Sequence, residues 1–168
     1  SGVKYAYFDC RRYANLVDQT IRGTVKIWNT NLPAIGMWWL KRHESLTSQN
    51  DPKGWLQRYM DAIYSPFWRR EFDAEDLDAV VAVLAQIGAP TDGFVAFAQG
   101  DGAAFNDKAQ SNTFDAGVYG VPTYQLLEHS DRRGVPAQFF GREHLPRIAA
   151  LLANQEKPLP DVAYALPA

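Results

Sequence analysis

The chain has 168 residues, a formal net charge of −2, and a heavy aromatic load of five Trp, eight Tyr and nine Phe. A chain of this length folds as one domain and buries roughly two-thirds of its unfolded surface, while the slight acidity argues against nucleic acid, whose binders show a basic face or a pI above about 9. Apolar runs stop well short of the ~20 residues of a membrane span, and the one cysteine, Cys10, makes neither an internal disulfide nor a Cys-x-x-Cys pair, so a cytoplasmic setting is expected.

Residues 3–17 are predicted helical, because Tyr5, Phe8, Asp9, Arg12, Tyr13 and Leu16 recur at three- and four-residue steps. A break over residues 23–33 contains the short apolar alternation of Val25 to Trp28 and then a loop ending at Pro33. A second helix is expected over 34–44, carrying Met37, Trp38 and Leu40. Asp51-Pro52 reads as the next start, with Asp as N-cap and Pro in the first helical position; Trp55, Leu56, Tyr59, Ile63 and Phe67 follow at helical spacing. Pro66 lies inside that pattern and predicts a bend. Asp73, Glu75 and Asp76 resemble a capping arrangement, and Leu77, Val80, Val81, Leu84 and Ile87 give an amphipathic stripe up to Gly88. Two weaker helices are expected over 91–98 and 103–116, stopped by Gly117.

Strands are predicted at 123–128 and 136–140, forming a hairpin through the polar loop Asp131-Arg132-Arg133-Gly134. A last helix should cover about 144–154, with Pro146 tolerated only in its first turn, and the tail from Lys157 should be extended. A lone hairpin is marginal and its open edge invites pairing. A second copy, a swapped segment or the Val25 to Trp28 piece would have to cover it, so a homodimer or a second chain completing the sheet is expected. Cys10 lies in mid-helix without a neighbour to lower its pKa, and reads as a buried structural thiol. His43, His129 and His144 show neither metal-ligand spacing nor a triad order, so no metal is expected and they read as surface residues.

Five stretches carry a family resemblance: Tyr5 with Asp9, Arg12 and Tyr13; Phe67-Trp68-Arg69-Arg70-Glu71-Phe72-Asp73 before a helix ending Gln86-Ile87-Gly88; Gly117-Val118-Tyr119-Gly120-Val121-Pro122-Thr123; Phe139-Phe140-Gly141-Arg142-Glu143-His144-Leu145; and Lys157-Pro158-Leu159-Pro160-Asp161. In their order and spacing, the chain from about residue 3 to residue 168 resembles the C-terminal three-quarters of the kappa-class glutathione transferase and 2-hydroxychromene-2-carboxylate isomerase family, a branch of the DsbA-like thioredoxin-fold proteins. The resemblance implies an α/β, DsbA-like thioredoxin fold with three parts. These are a mostly helical insertion over 1–116, a C-terminal thioredoxin half of hairpin plus helix over 117–156, and an extended tail over 157–168. The family's opening strand-helix-strand unit, which carries the catalytic serine, has no counterpart here. Ser1-Gly2 without an initiator Met reads as a cloning scar or processed end, and a truncation, or a site completed by another chain, is expected.

The resemblance also implies a glutathione site. Relatives keep a cis proline at the strand start matched by Pro122, and the main chain of Val121 would pair with the cysteinyl part of the tripeptide by strand addition. The residue-level alternative is an ordinary trans Pro at a strand entry. Gly141 takes a strand into a helix and would leave amide groups facing outward. Arg142 and Glu143 stand where relatives hold the γ-glutamyl end with a small polar residue and Asp; they are longer, and the alternative is a pair of first-turn surface charges. The basic residue that relatives place before Tyr5 falls on Gly2, so that contact is lost. Trp38 and Trp39 would line a pocket for a small aromatic substrate, or be core. The activity implied is that of a glutathione-dependent isomerase or transferase acting on aromatic or unsaturated small molecules, with the catalytic nucleophile unassigned and little turnover from this chain alone. The alternatives are a non-catalytic interaction module dimerising through the hairpin edge, and a DsbA-like thiol-disulfide oxidoreductase that would need a Cys-x-x-Cys upstream.

Overall fold

The computed structural model describes residues 2–44, 53–130 and 136–153. Its helices in chain order are α1 (Gly2–Asn15), α2 (Asn31–Arg42), α3 (Gly54–Arg69), α4 (Leu77–Gln86), α5 (Phe94–Gln99) and α6 (Asp101–Asp115). The hairpin of β1 (Thr123–Ser130) and β2 (Pro136–Phe140) follows, then a single 3-10 turn, Arg142–His144, and α7 (Leu145–Leu152). The fold is therefore mixed α/β, mostly helical with a small antiparallel sheet. It divides into two compact units, Ser1–Ser111 and Asn112–Ala168, so the division falls within α6 rather than at the expected residue 116.

In the first unit the apolar spacing becomes a helical core. Ile35, Trp39 and Leu40 of α2 meet Tyr59 and Ile63 of α3, Val80, Val83 and Leu84 of α4, and Phe94 and Ala98 of α5. Val80, Leu84 and Phe94 have no accessible surface left, and each such side chain contributes roughly 1.5–3 kcal/mol through removal from water. α4 starts where its sequence says: the Asp76 carboxylate accepts the Asp78 N–H at 2.9 Å, satisfying an otherwise orphaned amide. It stops at Gly88, whose φ of +74° suits glycine.

α2 begins three residues before the expected Ala34. The Asn29 side-chain oxygen accepts the Asn31 N–H at 3.0 Å, and Pro33 then sits in the first turn, where a missing N–H costs nothing. α3 continues through Pro66 to Arg69, and Arg70 ends it with a left-handed backbone, φ +63°. Asp51-Pro52 lies outside the described residues.

The Val25 to Trp28 alternation, one of the expected covers for the hairpin edge, forms no strand. Its side chains Val25 and Ile27 are exposed, and the segment is tied down by polar contacts instead. Lys26 Nζ reaches Glu75 at 2.7 Å, the Asn29 N–H donates to the same carboxylate at 2.9 Å, and Trp28 packs edge-on against Phe67. The chain before it is gripped at its main chain. Arg11 donates to the carbonyls of Ile21 (2.7 Å) and Arg22 (3.1 Å), Arg70 donates to those of Gly23 and Arg22 (both 3.0 Å), and the Arg22 N–H donates to the Trp68 carbonyl at 2.9 Å.

In the second unit β1 and β2 pair in the register Thr123↔Phe140, Tyr124↔Phe139, Gln125↔Gln138 and Leu126↔Ala137, with an irregularity before Ser130↔Pro136. β1 thus runs on to Ser130, past the expected residue 128. Leu126 and Ile148 are its buried apolar side chains among the described residues. α7 begins at Leu145 with Pro146 in its first turn, as the proline required. The loop Asp131 to Gly134 and the tail from Lys157 lie outside the described residues.

Candidate functional site

The first candidate surface is built around the turn that leads into β1. α6 ends at Gly117, φ +72°, with the Gly117 and Val118 amides donating back to Phe114 (2.9 Å) and Thr113 (3.2 Å). Gly120 is required next because Phe140 lies against it: a Cβ there would come within 2.7 Å of the ring. The Thr123 hydroxyl donates to the Gly120 carbonyl at 2.6 Å, and the Pro122 carbonyl accepts the Gly141 N–H at 3.0 Å. The Val121–Pro122 peptide is cis, the isomer expected.

This leaves Val121 in an unusual position. The carbonyls on either side of it are occupied, yet neither its own N–H nor its own C=O is taken by another described residue, and its side chain is 86% exposed. The site thus brings Val121, Pro122 and Gly141 together. Gln138 locks the geometry, donating to the Gly117 carbonyl at 3.2 Å while accepting from Gln125 at 3.1 Å. The two glutamines were invisible as site residues in the sequence. Only the register that sets them opposite each other singles them out.

Gly141 is buried with φ +106° and ψ +146°, a backbone region almost confined to glycine. The Glu143 carboxylate folds back over it, into the space a Cβ would fill. Arg142 and Glu143 are exposed but do not start an α-helix; they form a 3-10 turn whose His144 N–H closes onto the Gly141 carbonyl at 3.4 Å. The expected cluster of outward helix-start amides is therefore reduced, one of them being used internally. His144 is not a plain surface residue, since its ring packs on Phe139 at 5.5 Å between centroids.

Trp38 and Trp39 belong to the helical unit and part company there, being about 100° apart around α2. Trp39 is 6% exposed, donates its indole N–H to the Pro90 carbonyl at 2.7 Å, and packs against Phe94, Phe97 and His43. It packs in the core, and it also lines a smaller depression of about 390 Å³ together with Arg42, His43 and Phe97. Trp38 is half-buried and lines a groove of about 710 Å³ with Phe97 and Phe105. His43 donates its Nδ1–H to the Trp39 carbonyl at 2.9 Å, so it too is part of the packing rather than surface.

One further expectation changes. Cys10 is exposed, because α1 turns inward the face of Tyr7, Arg11 and Ala14: Tyr7 meets Trp68, Arg11 holds the following loop and Ala14 is buried. Tyr59 is buried, its hydroxyl donating to the Pro33 carbonyl at 3.0 Å; burial pushes that hydroxyl far above the ordinary tyrosine range, so it stays a protonated donor. Glu75 moves the other way, its carboxyl held below the usual range by the Lys26 ammonium first and the Asn29 amide second.

Among the described residues no three His, Cys, Asp or Glu side chains gather as a metal site, and no helix is long and apolar enough to cross a membrane. Compared with known proteins, the chain matches no family model, no curated protein and no solved structure.

Proposed function

We propose that the turn at Val121 is the peptide-cradling half of a glutathione site, in a DsbA-like thioredoxin fold of the kappa-class glutathione transferase and 2-hydroxychromene-2-carboxylate isomerase type. The observation that carries this reading is the main chain of Val121, unoccupied among the described residues, between two occupied carbonyls. An N–H and a C=O on one exposed residue match the C=O and N–H of the cysteinyl residue of an extended tripeptide, which adds beside the turn as a short strand. Glu143 and Arg142, next to Gly141, supply the opposite charges for the γ-glutamyl ammonium and carboxylate. Glutathione thiolate held there would add reversibly to an electrophilic or unsaturated aromatic molecule. No residue of this chain is assigned to stabilise that thiolate, so binding rather than turnover is its expected property, in a cytoplasmic setting that keeps glutathione reduced.

Calorimetric titration tests this directly. Glutathione should give saturable heat, and an analogue N-methylated at the cysteinyl amide should bind at least about tenfold more weakly, the equivalent of one lost hydrogen bond of about 1.4 kcal/mol. Absence of saturable heat at millimolar glutathione would overturn the proposal.

A second reading has its own observation. Each strand of the two-stranded sheet has one edge with no strand beside it among the described residues, and Leu127 on β1 is 74% exposed. Such an edge pairs readily with another strand, which fits a homodimer joined through the hairpin; sedimentation showing a monomer at micromolar concentration would dismiss it. Disulfide exchange gains nothing, as Cys10 has no second thiol within the chain.

A further inference from the structure

The groove beside Trp38 is built from two facing helical stripes. α2 contributes Trp38, Lys41 and Arg42 at steps of three and four, and α6 contributes Asp101, Phe105 and Lys108 at the same steps, so each set lies on one helical face. Trp38 and Phe105 stand 5.6 Å apart between ring centroids with planes inclined by 54°. At that separation the two rings touch as a tilted pair and form one aromatic wall of the groove. Lys41 Nζ lies 5.2 Å from the Trp38 centroid and the Arg42 guanidinium 5.6 Å from that of Phe97. These cations hang over rings, and among the described residues none of Lys41, Arg42 and Lys108 is engaged in an ion pair. Among the described lining residues Asp101 is the one acid, so these residues carry two positive charges in excess.

We infer that this groove binds a planar aromatic molecule bearing a doubly charged anionic group, a phosphate monoester of an aromatic ring being the simplest case. The ring lies against the aromatic wall of Trp38 and Phe105, where stacking needs no fixed polar partner. The phosphate, carrying a charge of about −1.5 to −2 at neutral pH, reaches Lys41 and Lys108 across the mouth, with Arg42 placed for a two-pronged contact. The groove's volume of about 710 Å³ suits a ligand of that size. Every described lining residue belongs to the first unit, so the inference stands independently of glutathione binding at Val121.

The test is calorimetric titration of the whole chain, without glutathione, with 1-naphthyl phosphate, 1-naphthol and inorganic phosphate. The expected result is saturable binding of the phosphate ester at least about tenfold tighter than either fragment, weakened by salt as exposed charge contacts are. The double variant Lys41→Ala/Lys108→Ala should lose about tenfold in affinity for the ester with its circular dichroism and unfolding midpoint unchanged, both side chains being exposed. Trp38→Leu should weaken the ester and the naphthol together. Equal affinity for naphthol and its phosphate, wild-type affinity in the double variant, or no saturation by the ester would each overturn the inference.

Discussion

Gly36 faces the hydroxyl end of Tyr59, and this juxtaposition decides how closely α2 and α3 approach. A Cβ at position 36 would land on the Tyr59 hydroxyl; Tyr59 is 1% exposed and its hydroxyl is bonded to the Pro33 carbonyl, so the ring has nowhere to move. Gly36→Ala should destabilise the chain by about 1–3 kcal/mol in urea unfolding, overpacking outweighing the gain in helix propensity of about 1 kcal/mol. Tyr59→Phe alone should cost about 1 kcal/mol. The double variant should fall short of the sum, because the two changes act on one contact. Glu75 supplies a pH-dependent counterpart. Its carboxyl is held below the ordinary range by Lys26 and Asn29, so its contribution is complete above the ordinary glutamate value of about 4.3 and is lost as pH falls through the lowered one. Glu75→Gln should flatten the part of the stability profile that lies below the ordinary glutamate range, measured as unfolding midpoint against pH.

At the scale of elements, capping and turn geometry carry the most testable weight. Asp76→Ala removes the acceptor for the Asp78 amide and should cost about 1 kcal/mol by urea unfolding. Gly141→Ala should cost about 1–3 kcal/mol within the hairpin unit. Its φ of +106° penalises any side chain, and the Glu143 carboxylate must leave the space. The reporter is hydrogen exchange at the β1 and β2 amides, which should quicken. α4 was legible in the sequence because its stripe, its cap and its stopping glycine are all local signals. The start of α2 was misplaced because Asn29, two residues outside the helix, supplies the bond that lets Pro33 sit inside. The Val25 to Trp28 alternation has the period of a strand, but a strand exists only with a partner, and Glu75 and Phe67 claim the segment first.

Across the whole molecule, burial is uneven. The helical unit buries a cluster running from Ile35 to Ala98, whereas the hairpin unit buries Leu126 and Ile148 among the described residues. Amides of α2 and α4 should therefore exchange slowest and those of β1 and β2 faster. All five tryptophans, at 28, 38, 39, 55 and 68, lie in the first unit, so tryptophan emission reports on that unit and is the readout for Gly36→Ala. Long-range pairing also sets the limit of what was legible in the site. Val121, Pro122 and Gly141 could be picked out because turn chemistry is written in adjacent residues. Which of Trp38 and Trp39 faces the core could not, since that depends on Phe94 and Phe97 more than fifty residues on. Lys41, Arg42 and Lys108 carry no local signal of a site, and only the placement of α6 beside α2 brings them to one groove. The grip of Arg11 and Arg70 on the carbonyls of Ile21, Arg22 and Gly23 has an evolutionary corollary. Carbonyl oxygens are common to every amino acid, so the held positions 21 and 22 are free to drift in identity while the two guanidinium donors are not, and saturation mutagenesis should find tolerance at the rope and intolerance at the knots.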